Sequence, residues 1–141
     1  MAEMIETARG TVHEWHRDHM GHINVRAYMD FFDQASWQVY AAVGLGASLL
    51  RSGAVRLAAV QQNIAYRHEL YPGDTVAVRS AVREIRDKVL RFDHELYNTE
   101  SGDVCAVCAF TVVCLDPETR KSRPFPAEVA AKARSLLLPV A

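Results

Sequence analysis

One run of this chain repeats its apolar residues at helical spacing and demands a large apolar partner. From Val25 to about Val43, the residues Tyr28, Phe31, Phe32, Ala35, Val39, Ala42 and Val43 fall on one broad helix face. Arg26, Asp30, Asp33, Gln34 and Gln38 lie largely elsewhere. Asn24 stands where an N-cap belongs, and Gly44, followed by Gly46, where a helix stops. A face this wide must be covered, and the rest of the chain reads mainly as strands able to cover it.

Gly10 to Trp15 alternates apolar and polar side chains, which predicts a first strand. Beyond Gly53 the period turns toward two. Val60, Gln62, Ile64 and Tyr66 share one strand face, and Gln61, Asn63, Ala65 and Arg67 the other. Pro72-Gly73-Asp74 is turn chemistry. Thr75 to Ile85 alternates again, with Val76, Val78 and Val82 opposite Arg79 and Arg83. After a turn at Arg86-Asp87-Lys88, Val89 to Tyr97 carries Leu90, Phe92 and Leu96 in phase. Asn98 to Asp103 closes a hairpin. Val104 to Leu115 is almost entirely apolar, the pattern of a strand covered on both faces. Asp116 to Thr119 ends that strand. Pro124-Phe125-Pro126 then fixes the chain direction before a short helix from Ala127 to about Leu137. The order is β-α-β-β-β-β-α. Short turns join the last four strands, so the sheet is expected to be mostly antiparallel and to wrap around the single long helix. This is an α+β chain. With no internal repeat, low-complexity tract or linker, residues 1–141 read as one domain.

A chain of 141 residues, half of them hydrophobic, can bury a core of its own. Its net charge of −1, with Lys and Arg scattered among acids, gives no reason to expect nucleic acid as a partner. Met1 to Arg9 carries two glutamates and no apolar core, unlike a signal peptide, and no apolar run is long enough to cross a bilayer. Cys105, Cys108 and Cys114 are an odd number in one apolar segment, which argues against a disulfide framework and fits a reducing cytoplasm. Cys105-x-x-Cys108 has no second pair to make a zinc site, and in an extended strand its side chains face opposite sides; buried structural thiols are the expectation.

The chemistry concentrates between the first strand and the helix, in Asp18-His19-Met20-Gly21-His22-Ile23-Asn24. A helix N-terminus offers unpaired amides and a partial positive charge, so a carboxylate held just before it faces a place where developing negative charge is stabilised. His13, His16, His19 and His22 recur every third residue, but along a strand and loop such positions do not converge as they would on a helix. No conventional zinc motif accompanies them, so no metal is expected.

Asp18-x-x-Gly21-His22-Ile23-Asn24-x-x-x-Tyr28 resembles the signature of hot-dog fold acyl-CoA thioesterases of the 4-hydroxybenzoyl-CoA thioesterase-like group. The paired aromatics from Tyr28 to Phe32 match too, as does Ile64-x-Tyr66 leading to Gly73-Asp74. The resemblance covers roughly residues 10–116. It implies a five-stranded antiparallel sheet around one long helix, with subunits pairing into a continuous sheet as homodimers or homotetramers. It also implies active sites at the subunit interface and an acyl-CoA substrate cleaved to a carboxylic acid and coenzyme A. Asp18 then stands at the position of the nucleophile or general base, and a helix-start amide near Val25 and Arg26 polarises the thioester carbonyl. Some members have an acid two residues before the aspartate, where this chain has His16; another subgroup has a histidine seven residues after it, where this chain has Val25.

By the same resemblance, His22 orients Asp18, binds substrate or holds the loop. Gly21 gives the backbone a conformation or close approach denied to larger residues. Asn24 is a cap first and a substrate contact second, and Tyr28 either limits the pocket or fills core. Gln61, Asn63 and Arg67 either line the acyl pocket from the partner chain or pair across the interface. Arg120, Lys121 and Arg123 either attract the phosphates of coenzyme A or form a solvated basic turn. No metal or organic cofactor is expected, coenzyme A entering as part of the substrate, and no membrane partner. The rival readings are an acyl-CoA-binding module without turnover and an enoyl thioester hydratase.

Overall fold

The cap at Asn24 forms: its Oδ1 accepts the Arg26 N–H at 2.7 Å. Helix α1 then runs Val25–Ala42 in the computed structural model, which describes residues 3–140. Ala27, Tyr28, Phe31, Phe32, Ala35, Ser36 and Val39 are buried along the face that the spacing selects. The helix stops at Gly44, whose φ of +88° suits a residue without a Cβ. A second helix, α2, spans Ala47–Ser52 and has no counterpart in the reading of the sequence, because six residues are too few to show a period. Its Leu49 and Leu50 pack against the core.

Strands β1 (Ile5–Thr11), β2 (Arg56–Tyr66), β3 (Thr75–Arg86), β4 (Val89–Asn98) and β5 (Val104–Leu115) form one sheet in the order β1-β3-β4-β5-β2. Every neighbouring pair is antiparallel. Helix α1 lies against β1, β3 and β4. Between helix and sheet, Phe92 stacks on Phe110 at 5.4 Å, and Phe32 lies parallel to the His94 ring at 5.8 Å. A last helix, α3 (Ala127–Ser135), buries Val129 and Ala133 and contacts β3. The layout is the α+β arrangement, one long helix held by a five-stranded antiparallel sheet, that the motif resemblance implies.

Three details correct the sequence reading. The first strand is Ile5–Thr11 rather than Gly10–Trp15, and Glu14–His16 is a 3-10 turn. Exposed Glu6 and Arg9 mask the segment's strand character, although Thr7 is buried and Ala8 packs against the core. The statement about Met1 to Arg9 also bears on Met1 and Ala2, which lie outside the described residues. Strand β5 is covered within the chain on one face only: Cys108, Phe110, Val112 and Cys114 are buried, whereas Ala109 is exposed and Val107, Thr111 and Val113 are half-buried. Finally, Cys105 and Cys108 do not face opposite sides. The register jumps from Leu96↔Ala106 to Tyr97↔Val104, and the extra residue at Cys105 lets both thiols turn into the core. All three cysteines are free and buried, and burial pushes the Cys108 thiol up to about 12.

His94 continues the phase of Leu90, Phe92 and Leu96 and is fully buried. Ser36 Oγ donates to the Phe32 carbonyl and lies 2.9 Å from His94 Nε2, so Nε2–H donates to Ser36. His94 Nδ1 then accepts from Ser80, whose hydroxyl also meets Thr7 Oγ1 at 2.7 Å. The network ties α1, β1, β3 and β4 together.

Candidate active site

The segment His16–Asn24 folds back on itself as a tight hairpin. Asn24 N–H donates to the His16 carbonyl at 2.7 Å, Asp18 N–H to the His22 carbonyl at 2.9 Å, and Gly21 N–H to the Asp18 carbonyl at 3.1 Å. Arg17 and Ile23 bridge antiparallel between these bonds. Directly opposed residues in such a ladder share a face, which puts the Asp18 and His22 side chains together. Ile23 turns into the core, 2% exposed, and anchors the hairpin. Gly21 turns the tip with φ +88°, and no atom lies within 4 Å of where a Cβ would stand, so it answers a backbone requirement rather than a close approach.

Asp18 is partly sheltered, its side chain 24% exposed. Oδ1 accepts the Met20 N–H at 2.8 Å, which fixes the carboxylate and leaves Oδ2 toward His22. His22 Nδ1 stands 3.6 Å from Asp18 Oδ2 and 3.4 Å from the Ile23 carbonyl, and its Nε2 stands 3.6 Å from Glu69 Oε1. The second strand of the hairpin leads straight into α1. There Asn24 takes two helix-start amides, Arg26 N–H on its side chain and Ala27 N–H on its carbonyl. The amide of exposed Val25, first in the helix, meets no protein acceptor among the described residues. The exposed Val25 N–H is thus open at the start of the helix.

Tyr28, one turn into α1, is buried beneath the hairpin and meets Tyr66 edge-on at 4.9 Å. Burial, then the neighbouring Cys105, Tyr66, Glu69 and Asp18, pushes its phenol up to about 12, so it stays a hydroxyl donor at working pH. Glu69 and Tyr71 come from the segment after β2. Ile23 N–H donates to the Leu70 carbonyl at 2.8 Å, which fastens that segment to the hairpin. Glu69 Oε2 accepts the Tyr71 hydroxyl at 2.7 Å, and Asp74 Oδ2 accepts the Tyr71 N–H at 2.9 Å.

Asp18, Gly21, His22, Asn24, Val25 and Tyr28 therefore gather at one end of the sheet. Gln61, Asn63 and Arg67 do not join them within the chain. Gln61 pairs with Thr111 and Asn63 with Ala109, on the face away from α1, where Asn63 and Arg67 border a shallow depression with Asp93 and Glu95. Gln62, Ile64 and Tyr66 are the residues of β2 that face the helix side, opposite Phe110, Cys108 and Ala106. Arg123 is tied to Asp116 at 3.6 Å and to the Ala54 carbonyl, whereas Arg120 and Lys121 are exposed. Among the described residues no three His, Cys, Asp or Glu side chains converge as a metal site would require. Glu69 and Tyr71 escape a reading of the sequence because they lie in an irregular stretch with no period; the adjacent Pro72-Gly73-Asp74 turn was their only signal.

Comparison with known proteins gives the family. A family model described as the thioesterase-like superfamily matches residues 12–133. A betainyl-CoA thioesterase of Pseudomonas aeruginosa is 27% identical over 123 residues, covering 87% of this chain and 77% of that protein. The long-chain acyl-CoA thioesterase FadM of Escherichia coli is 24% identical over 130 residues, covering 89% of this chain and 95% of that protein. Among solved structures, a Staphylococcus aureus protein in complex with CoA superposes with a TM-score of 0.88 at 18% identity, covering 100% of this chain and 90% of that one. A predicted thioesterase from Bacillus stearothermophilus superposes with a TM-score of 0.85 at 22% identity, covering 99% and 100%.

Proposed function

The chain belongs to the thioesterase-like superfamily, with the hot-dog fold of an acyl-CoA thioesterase, and from that premise we propose how it hydrolyses its substrate. An acyl-CoA and water give a carboxylic acid and free coenzyme A. Asp18 delivers the attack, either as nucleophile on the thioester carbon or as general base on water. The Val25 amide stabilises the oxyanion at the start of α1, while His22 and Asn24 organise the loop. Gly21 and Tyr28 border the substrate. Because a thioester is already activated, this chemistry needs neither metal nor organic cofactor, and coenzyme A enters with the substrate.

The observation that carries the reading is the hairpin: it holds one Asp18 oxygen on the Met20 amide, leaves the other free, and runs directly into a helix whose first amide has no protein acceptor among the described residues. Self-association is part of the proposal. β2 is an edge strand of the sheet with exposed Val60 and Tyr66, and strand pairing there would bring Gln61, Asn63 and Arg67 of one subunit to the seam with another. The three free, buried cysteines support a reducing cytoplasmic setting.

Free-thiol release from a panel of acyl-CoAs, spanning short polar, betainyl, aromatic and long-chain acyl groups, tests the function. Turnover on at least one member is expected. Saturable binding without thiol release identifies a binding module, and an enoyl thioester hydrated with its thioester intact identifies a hydratase; either contradicts the proposal.

A further inference from the structure

His22 stands between two carboxylates that come from different parts of the chain. Nδ1 faces Asp18 Oδ2 and Nε2 faces Glu69 Oε1, each at 3.6 Å, and the Ile23 carbonyl lies 3.4 Å from Nδ1 beside Asp18. A neutral imidazole has one N–H and one lone pair, so it can satisfy only one carboxylate and must present its lone pair to the other. An imidazolium donates to both. Glu69 is itself held: Tyr71 donates its hydroxyl to Oε2 at 2.7 Å, Asp74 fixes the Tyr71 backbone, and the Leu70 carbonyl is bonded to Ile23 beside His22. The edge of the Tyr71 ring also approaches the imidazole, with centroids 6.5 Å apart. Such contacts are often long before substrate binds and tighten in the reacting complex.

We propose that Glu69, braced by Tyr71, is a positioning residue that acts through His22 to hold the free oxygen of Asp18 in its reactive orientation. The proposal rests on the thioesterase reading above. The charged and titratable groups around His22 are Asp18 on the hairpin, Glu69 and Tyr71 on the segment after β2, and Tyr28 on α1, which neighbours both carboxylates. Glu69 touches no reacting atom in this arrangement. Its place opposite Nε2 stops the ring from turning away from Asp18.

The test pairs Glu69→Gln, which keeps size and a hydrogen-bond acceptor for Tyr71 but removes the charge, with Glu69→Asp, which keeps the charge. Two readouts are taken: kcat and KM for acyl-CoA turnover, and the chemical shifts of the His22 ring followed by NMR at one fixed pH. In Glu69→Gln, kcat is expected to fall about tenfold with KM within about twofold, and the His22 ring signals to move as the imidazole loses its charged partner. Glu69→Asp restores part of both, and Tyr71→Phe gives a smaller loss in kcat. His22 ring signals unmoved by Glu69→Gln overturn the proposal whatever the rates do, and so does a parent-like kcat in that variant while Asp18→Asn is inactive. A parent without turnover on any acyl-CoA contradicts the thioesterase reading instead, and the His22 ring signals then still decide the His22–Glu69 pairing.

Discussion

Asn24 and Gly21 show how single residues set up the site. Asn24 satisfies the Arg26 and Ala27 amides and leaves the exposed Val25 amide open. Asn24→Ala is expected to cost about 1 kcal/mol of stability, the usual worth of an N-cap, measured by chemical denaturation. It should also lower kcat, because the start of α1 frays and the Val25 amide loses its direction. Gly21→Ala meets no steric neighbour, but its φ of +88° is a conformation that a Cβ disfavours, and a loss of about 1 kcal/mol is expected from the same assay. These two roles were legible in the residues because they follow from local chemistry, a cap and a turn, whereas for His22 the residues left three readings open: orienting Asp18, binding substrate or holding the loop. Glu69 and Tyr71 were not legible, since only the long-range bond from Ile23 to Leu70 brings them to the hairpin.

At the scale of elements, α1 and strands β3, β4 and β5 lie within a residue or so of where periodicity puts them, because one face of each is apolar and regular. β1 was displaced and α2 missed for the opposite reason: one carries polar residues on its outer face, and the other is shorter than two turns. The bulge at Cys105 is equally invisible in a run where nearly every residue is apolar. His94 shows what phase alone predicts and what it omits. Its position marks it as core, but its partners Ser36 and Ser80 come from other elements. Burial lowers its pKa from 6.5 to about 3. The unfolded chain therefore takes up a proton as pH falls below 6.5 while the folded chain does not, so stability present above that pH is lost progressively toward pH 3. Denaturation at pH 7 and pH 5 should show the parent losing about 2 kcal/mol more than His94→Phe over that interval. Equal losses would mean that His94 is not held neutral.

For the whole molecule, the sheet ends on β2, whose exposed strand carries Val60 at 58% exposure beside its bulge. A charge at this edge opposes strand pairing. Val60→Asp is expected to shift the mass measured by sedimentation from a dimer or tetramer toward the monomer and to lower turnover in step, whereas a monomeric parent with full activity would place the complete site within one chain. The expectation of a dimer or tetramer rests in the sequence only on the family motif, and Gln61, Asn63 and Arg67 do not join Asp18 within the chain. In the proposed mechanism the hairpin, the helix start and Glu69 all act around Oδ2 of Asp18, which faces His22. The direct test is kcat/KM for the best acyl-CoA of the panel in Asp18→Asn against the parent, with circular dichroism and sedimentation confirming an unchanged fold and assembly. A fall of at least about a hundredfold is predicted; unchanged turnover in that variant would contradict the role given to Asp18.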